Sequence, residues 1–170
     1  MGKKIFKWVI FALAVAVNVF IIVNGFIEGE TSSQISNGAS QIVIDGMNTI
    51  SPGSVNNSNI HEIRALLRKL LGHVMLPGVS GVLSTLSFYL FLRELKPIFH
   101  YLSFAFSMVF GFIIGMISEL AQLTAKERVF SMVDVGYDCF GYFVGLLFVF
   151  LVLLIAGFFA SEFKKEKQAK

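Results

Sequence analysis

Four long apolar runs dominate the chain, and polar residues gather in the segments between them. The runs cover residues 5–27, 71–92, 98–120 and 134–159. Roughly 20 helical residues suffice to cross a hydrocarbon core of about 30 Å, so each run predicts one membrane-spanning helix. Lys3, Lys4 and Lys7 head the first run. It is longer than a secretory apolar core of about 7–15 residues and ends at no small-residue cleavage site, so it is read as a retained anchor.

The intervening segments differ in kind. Residues 28–59 are rich in Ser, Asn, Gly, Thr and Gln and carry Pro52. Such a composition buries little apolar surface, which predicts a polar loop without firm order. Residues 41–44 are read as a short strand or a surface-lying piece. Residues 60–71 place Ile60, Ile63, Leu67, Leu70 and Leu71 on one helical stripe, with His61, Glu62, Arg64, Arg68 and Lys69 mostly off it. That pattern predicts an interfacial amphipathic helix leading into the second span, with Asn59 as its N-terminal cap. Pro77 lacks the N–H that would bond the His73 carbonyl, which predicts a bend there. Arg93 to Lys96 with Pro97 makes a turn, and Lys164, Lys165, Lys167 and Lys170 form a basic tail. The organisation expected is an anchor (1–27), a polar extracytoplasmic loop (28–59), a three-span membrane domain (60–159) and a cytoplasmic tail (160–170).

Composition agrees with a membrane solvent. Of the 170 residues, 55% are hydrophobic and only 15% charged, against about 25% charged in soluble domains. The fold class expected is therefore an all-α integral membrane protein of four transmembrane helices. The net charge of +3 is explained by Lys and Arg at membrane ends, and no basic run interleaves with aromatics, so no nucleic-acid partner is expected. Cys139 is the only cysteine, which excludes an intrachain disulfide and a paired-cysteine metal site. Counting Lys and Arg on the two sides predicts both termini in the cytoplasm and the polar loop outside.

Charges within apolar runs are expensive, and here they concentrate between residues 118 and 145. Gly111, Gly115, Glu119 and Gln122 share one face of the third span. Asp134, Asp138, Gly141 and Gly145 share one face of the fourth. Small residues let backbones approach closely in lipid. Docking the two glycine faces against each other would bring Glu119 and Asp138 to equal depth at the outer surface. Carboxylates crowded there need a cation, and Arg128 is the expected bidentate partner, with His73 arriving from the second span. Asp134 is also read as an N-cap of the fourth helix. His73, Glu119, Asp134 and Asp138 have the chemistry of a hard or borderline metal site, but no dedicated spacing marks them, and neither metal nor cofactor is assigned. Asn18 and Asn24 are read as interhelical glue.

At Lys69 and His73, Glu119 and Gln122, Arg128, Asp134, Asp138, Gly141 and Gly145, the chain resembles the VanZ-like family of bacterial membrane proteins. The family pattern is Lys-x3-His at the head of a span, then Glu-x2-Gln, an Arg, and Asp-x3-Asn-x2-Gly-x3-Gly. The resemblance covers residues 69–153. It departs at Asp138, where the family usually has Asn, and at Lys126 and Glu127, where Pro-Gly is common. What it implies is a cell-envelope role, the founding member being linked to teicoplanin resistance.

Three functions follow as expectations. The first is a non-enzymatic protein whose outer pocket, formed by His73, Glu119, Gln122, Arg128, Asp134 and Asp138, binds a membrane lipid, a lipid-linked envelope molecule or a glycopeptide antibiotic. The second is an enzyme on a lipid-linked precursor, with Glu119 or Asp138 as general base and Arg128 clamping a phosphate. The third is a small transporter or flippase subunit, for which four spans would require a homo-oligomer.

Overall fold

The apolar runs fold as four long helices in a computed structural model, which describes residues 2–95 and 98–168, with side chains described except for Lys3 and residues 158–168. The expected turn at Lys96 and Pro97 and the tail residue Lys170 lie outside the described residues. The membrane-length helices are α1 (Gly2–Gly25), α4 (Leu76–Leu92, continuous with the segments before it), α5 (Ile98–Gln122) and α6 (Met132–Gln168). Two further helices, α2 (Gly29–Ile50) and α3 (Ile60–Lys69), precede α4. No strand occurs among the described residues.

Small polar residues share the bundle interior with apolar ones such as Leu90, Ile114 and Val149, as expected where lipid removes the hydrophobic drive for helix association. Ser80, Ser84, Thr85, Ser103 and Ser107 are buried, while large apolar side chains such as Phe112, Phe140 and Phe148 are exposed. Asn18 of α1 donates to Ser84 Oγ at 3.0 Å and accepts from Ser80 Oγ at 2.8 Å. The first span is thereby built into the bundle against α4. Thr85, Ser107 and Tyr142 link α4, α5 and α6 through contacts of 2.6 and 3.0 Å.

The glycine faces do not dock as the sequence predicts. Gly141 and Gly145 pack against the backbone of the second span, at Val74 and Gly78. Gly111 and Gly115 instead leave room for α6 side chains, Tyr142 and Asp138 respectively. All four are packing positions, but α6 turns its bare backbone to α4 and its side chains to α5. The reason lies in the second span, where Gly78 and Gly81 offer α6 a closer approach than α5 does.

The polar segment 28–59 also differs from expectation. Most of it is α2, a 22-residue helix, and residues 41–44 are helical rather than a strand. Its inward face is not an apolar stripe but Ser32, Ser33, Ser36 and Ser40, followed by Val43 and Ile44. Ile44 closes a small core with Val55 and Leu67, flanked by Val43, Ile60 and Ile63. The helix start is tied to the loop before α6 by the Gly29 N–H, which donates to the Lys126 carbonyl at 3.0 Å.

At Pro77 the chain adjusts just before the proline. Residues Leu70–Met75 form a π-helical segment, and the Leu76 N–H bonds the Leu71 carbonyl five residues back. The wider turn joins α3 to α4, with Pro77 in the first turn of α4, where its missing N–H is tolerated. His73 sits within this π segment. Asn59 does not cap α3, because its side chain bonds Asn56 and Ser54 in the preceding loop.

Candidate functional site

The polar residues singled out by the sequence meet at one end of the bundle. His73 Nδ1 lies 3.0 Å from Asp138 Oδ1, so the π segment and α6 are joined directly. Asp138 is buried and Glu119 fully so. One Glu119 oxygen accepts from the Gln122 amide, and the other accepts from the Ser131 N–H at 3.2 Å. Ser131 caps α6 instead of Asp134: its hydroxyl accepts from the Asp134 N–H at 3.2 Å, which puts Asp134 at the third helical position. Lys69 is 3.9 Å from Asp134, an ion pair too long for a hydrogen bond.

Arg128 does not bridge the carboxylates. Its Nε donates to Gln122 Oε1 at 3.1 Å, and Nη1 donates to the Asn24 carbonyl at 3.4 Å and Ser32 Oγ at 3.2 Å. All three partners are neutral. Geometry explains the change: α2 brings Ser32 over the loop, and the end of α1 brings the Asn24 carbonyl, so the guanidinium is drawn away from Glu119. Burial lowers the Arg128 pKa from its ordinary value, and the charge of Arg68 lowers it further, against a weaker opposing pull from Glu119 and Asp134. A guanidinium remains charged throughout.

Beside these residues is a cavity of about 350 Å³ between α1, α2, the π segment and α5. Its polar wall includes Arg68, His73, Gln122, Arg128, Asp138 and Ser32, and its apolar wall includes Phe20, Ile21, Ile35, Leu71 and Leu76. Of the six expected ligand-binding residues, His73, Gln122, Arg128 and Asp138 line it, whereas Glu119 and Asp134 stand outside its wall. Sequence reasoning missed Arg68, Ser32 and Ser36. Arg68 lies one residue before Lys69 on the polar side of α3, a position that by itself signals only solvent. Arg68 Nη1 donates to Ser33 Oγ at 3.3 Å, another neutral partner.

No protein-family model, curated protein or solved structure matches the chain.

Proposed function

We propose that this protein is a non-enzymatic, multi-pass membrane protein that binds an anionic amphiphile in the cavity beneath α2. The observation carrying this reading is the pair of guanidinium groups at the cavity, Arg68 and Arg128, neither of which is in an ion pair among the described residues. Guanidinium groups held by neutral oxygens keep their charge for an incoming phosphate or carboxylate. The facing wall of Phe20, Ile21, Ile35 and Leu76 suits an acyl or prenyl chain. One head group and one tail are thus served by one cavity.

The resemblance to the VanZ-like family gives the amphiphile a class, a lipid-linked molecule of the bacterial envelope, and gives the phenotype, tolerance to teicoplanin-type antibiotics. On this reading the chain sits in the bacterial plasma membrane with both termini cytoplasmic. The cavity opens toward the outer face, and α3 lies along the interface with its charged side to water. Glu127 adds support. It adopts a left-handed backbone, φ 61°, immediately before Arg128, where the family commonly carries glycine.

Native mass spectrometry of the purified chain with phosphatidylglycerol, undecaprenyl phosphate and phosphatidylcholine tests the reading. The anionic lipids are expected to bind at least about tenfold more tightly than the zwitterion, a difference removed by Arg68→Gln with Arg128→Gln. In cells, expression is expected to raise tolerance to teicoplanin, which bears an acyl chain, more than to vancomycin, which does not. Equal retention of all lipids by the native chain and the double variant would refute the binding role.

A further inference from the structure

We propose that His73, Glu119 and Asp134 form a divalent-cation site that ties the π segment, α5 and α6 together, with Asp138 as the positioning residue for His73. One ligand-type atom from each of His73, Glu119 and Asp134 lies within 4.8 Å of the others. An ion about 2.1 Å from each of three tetrahedrally arranged ligands spaces them by about 3.4 Å, so a contraction of up to ~1.4 Å seats it. The three residues come from three different segments, which explains why no sequence spacing announces the set.

Two independent features point to a cation at this place. The first is an orphan: Asp134 Oδ1 is shielded from solvent yet has no hydrogen-bond partner. Its ion-pair partner, Lys69 Nζ, stands 3.9 Å off on a half-exposed side chain. A buried carboxylate oxygen without a partner is costly, and a metal ion satisfies it directly. The second is the contact between His73 Nδ1 and Asp138 Oδ1 at 3.0 Å. It leaves Nε2 as the free ring nitrogen, and a carboxylate on the opposite nitrogen is the usual support of a metal-bound imidazole.

Charge points the same way. Glu119, Asp134 and Asp138 occupy one end of the bundle, and Arg128, the cation expected to neutralise them, is committed to Gln122, Asn24 and Ser32. Glu119 is already held in place by Gln122 and the Ser131 N–H. One imidazole nitrogen and two carboxylates suit zinc or manganese, borderline ions that accept mixed nitrogen and oxygen ligands. The site shares His73 and Asp138 with the wall of the neighbouring cavity, while Glu119 and Asp134 stand outside that wall.

Metal-stripped chain in lipid nanodiscs, dialysed against Zn²⁺ or Mn²⁺ and assayed by elemental mass spectrometry, tests this. The native chain is expected to retain one equivalent of at least one ion and to melt at a higher temperature with it. Asp134→Asn and Glu119→Gln are expected to weaken retention at least about tenfold, and Asp138→Asn by about 10–100-fold. Asp45→Asn, on the exposed side of α2, is expected to change nothing. Asp134 lies in the first turn of α6 and is only partly buried, so its variant keeps the test decisive if Glu119→Gln does not fold. Folded native chain that holds no more of either ion than empty nanodiscs overturns the proposal, as does equal retention by Asp134→Asn.

Discussion

His73 Nδ1 and Asp138 Oδ1 stand 3.0 Å apart, 65 positions distant in sequence, and this contact joins the second span to the fourth on the wall of the cavity. The Asp138 side chain is 6% exposed and that of His73 19%, so neither group has much water to replace its partner. Asp138→Ala strands the His73 ring and is expected to destabilise the bundle by about 1–3 kcal/mol, read from reversible unfolding in mixed micelles. Asp138→Asn keeps a hydrogen-bond acceptor and is expected to lose less. Equal losses would mean that shape, rather than the polar contact, matters here.

Gly145 and Gly136 lie on the same helix and are expected to respond oppositely. A Cβ at Gly145 runs into the Gly78 carbonyl and the Val82 backbone, neither of which can rotate aside. Gly145→Leu should therefore force α4 and α6 apart, with a loss of about 3 kcal/mol or a failure to fold. Gly136 has nothing within 4 Å of such a Cβ, so Gly136→Ala should gain up to about 1 kcal/mol from helix propensity. The comparison is a measured difference in unfolding midpoint between the two variants.

Asn18→Leu tests the incorporation of the first span. It removes the bonds to Ser80 and Ser84 and leaves both hydroxyls without that partner. The expected loss is about 0.6–1.7 kcal/mol, the range for interhelical hydrogen bonds in lipid. Cross-linking between cysteines placed on α1 and α4 should weaken in parallel. An unchanged yield and unchanged stability would return the first span to the role of a simple anchor.

At the opposite end of the bundle, Lys7 Nζ and Glu94 Oε2 pair at 2.8 Å. The hydrogen bond and charge of Lys7 hold the Glu94 carboxyl below its ordinary 4.5. A carboxyl lowered on folding contributes stability that is complete above its unfolded pKa and fades as pH falls through the folded value. The difference between the native chain and Lys7→Gln should accordingly be small at neutral pH, shrink further with salt, and vanish in acid. Unfolding midpoints across a pH series check this, and a difference that grows in acid would contradict it.

Glu127 supplies a last test. Its φ of 61° is a left-handed conformation that disfavours a Cβ. Glu127→Gly should raise stability by about 1 kcal/mol while leaving the Arg128 contacts in place, measured as a shift in melting temperature with lipid binding unchanged.

How much of this was legible beforehand divides along the membrane normal. The apolar run lengths and the positions of Glu119, Asp134 and Asp138 within them set the four spans and the height of each acid, because a helix rises by a fixed amount per residue. Lateral arrangement was another matter. In lipid, apolar faces attract one another no more than they attract acyl chains, so hydrophobic pattern does not say which faces meet. Close packing decided that, and it sent Gly141 and Gly145 to α4 because Gly78 and Gly81 wait there. The serine face of α2 was equally hidden, since period-based reading looks for apolar stripes and this helix packs through Ser32, Ser36 and Ser40. Only the fold of α2 over the bundle drew Arg128 off the carboxylates, and the placement of α3 brought Arg68 to the cavity; neither distance is encoded in spacing along the chain.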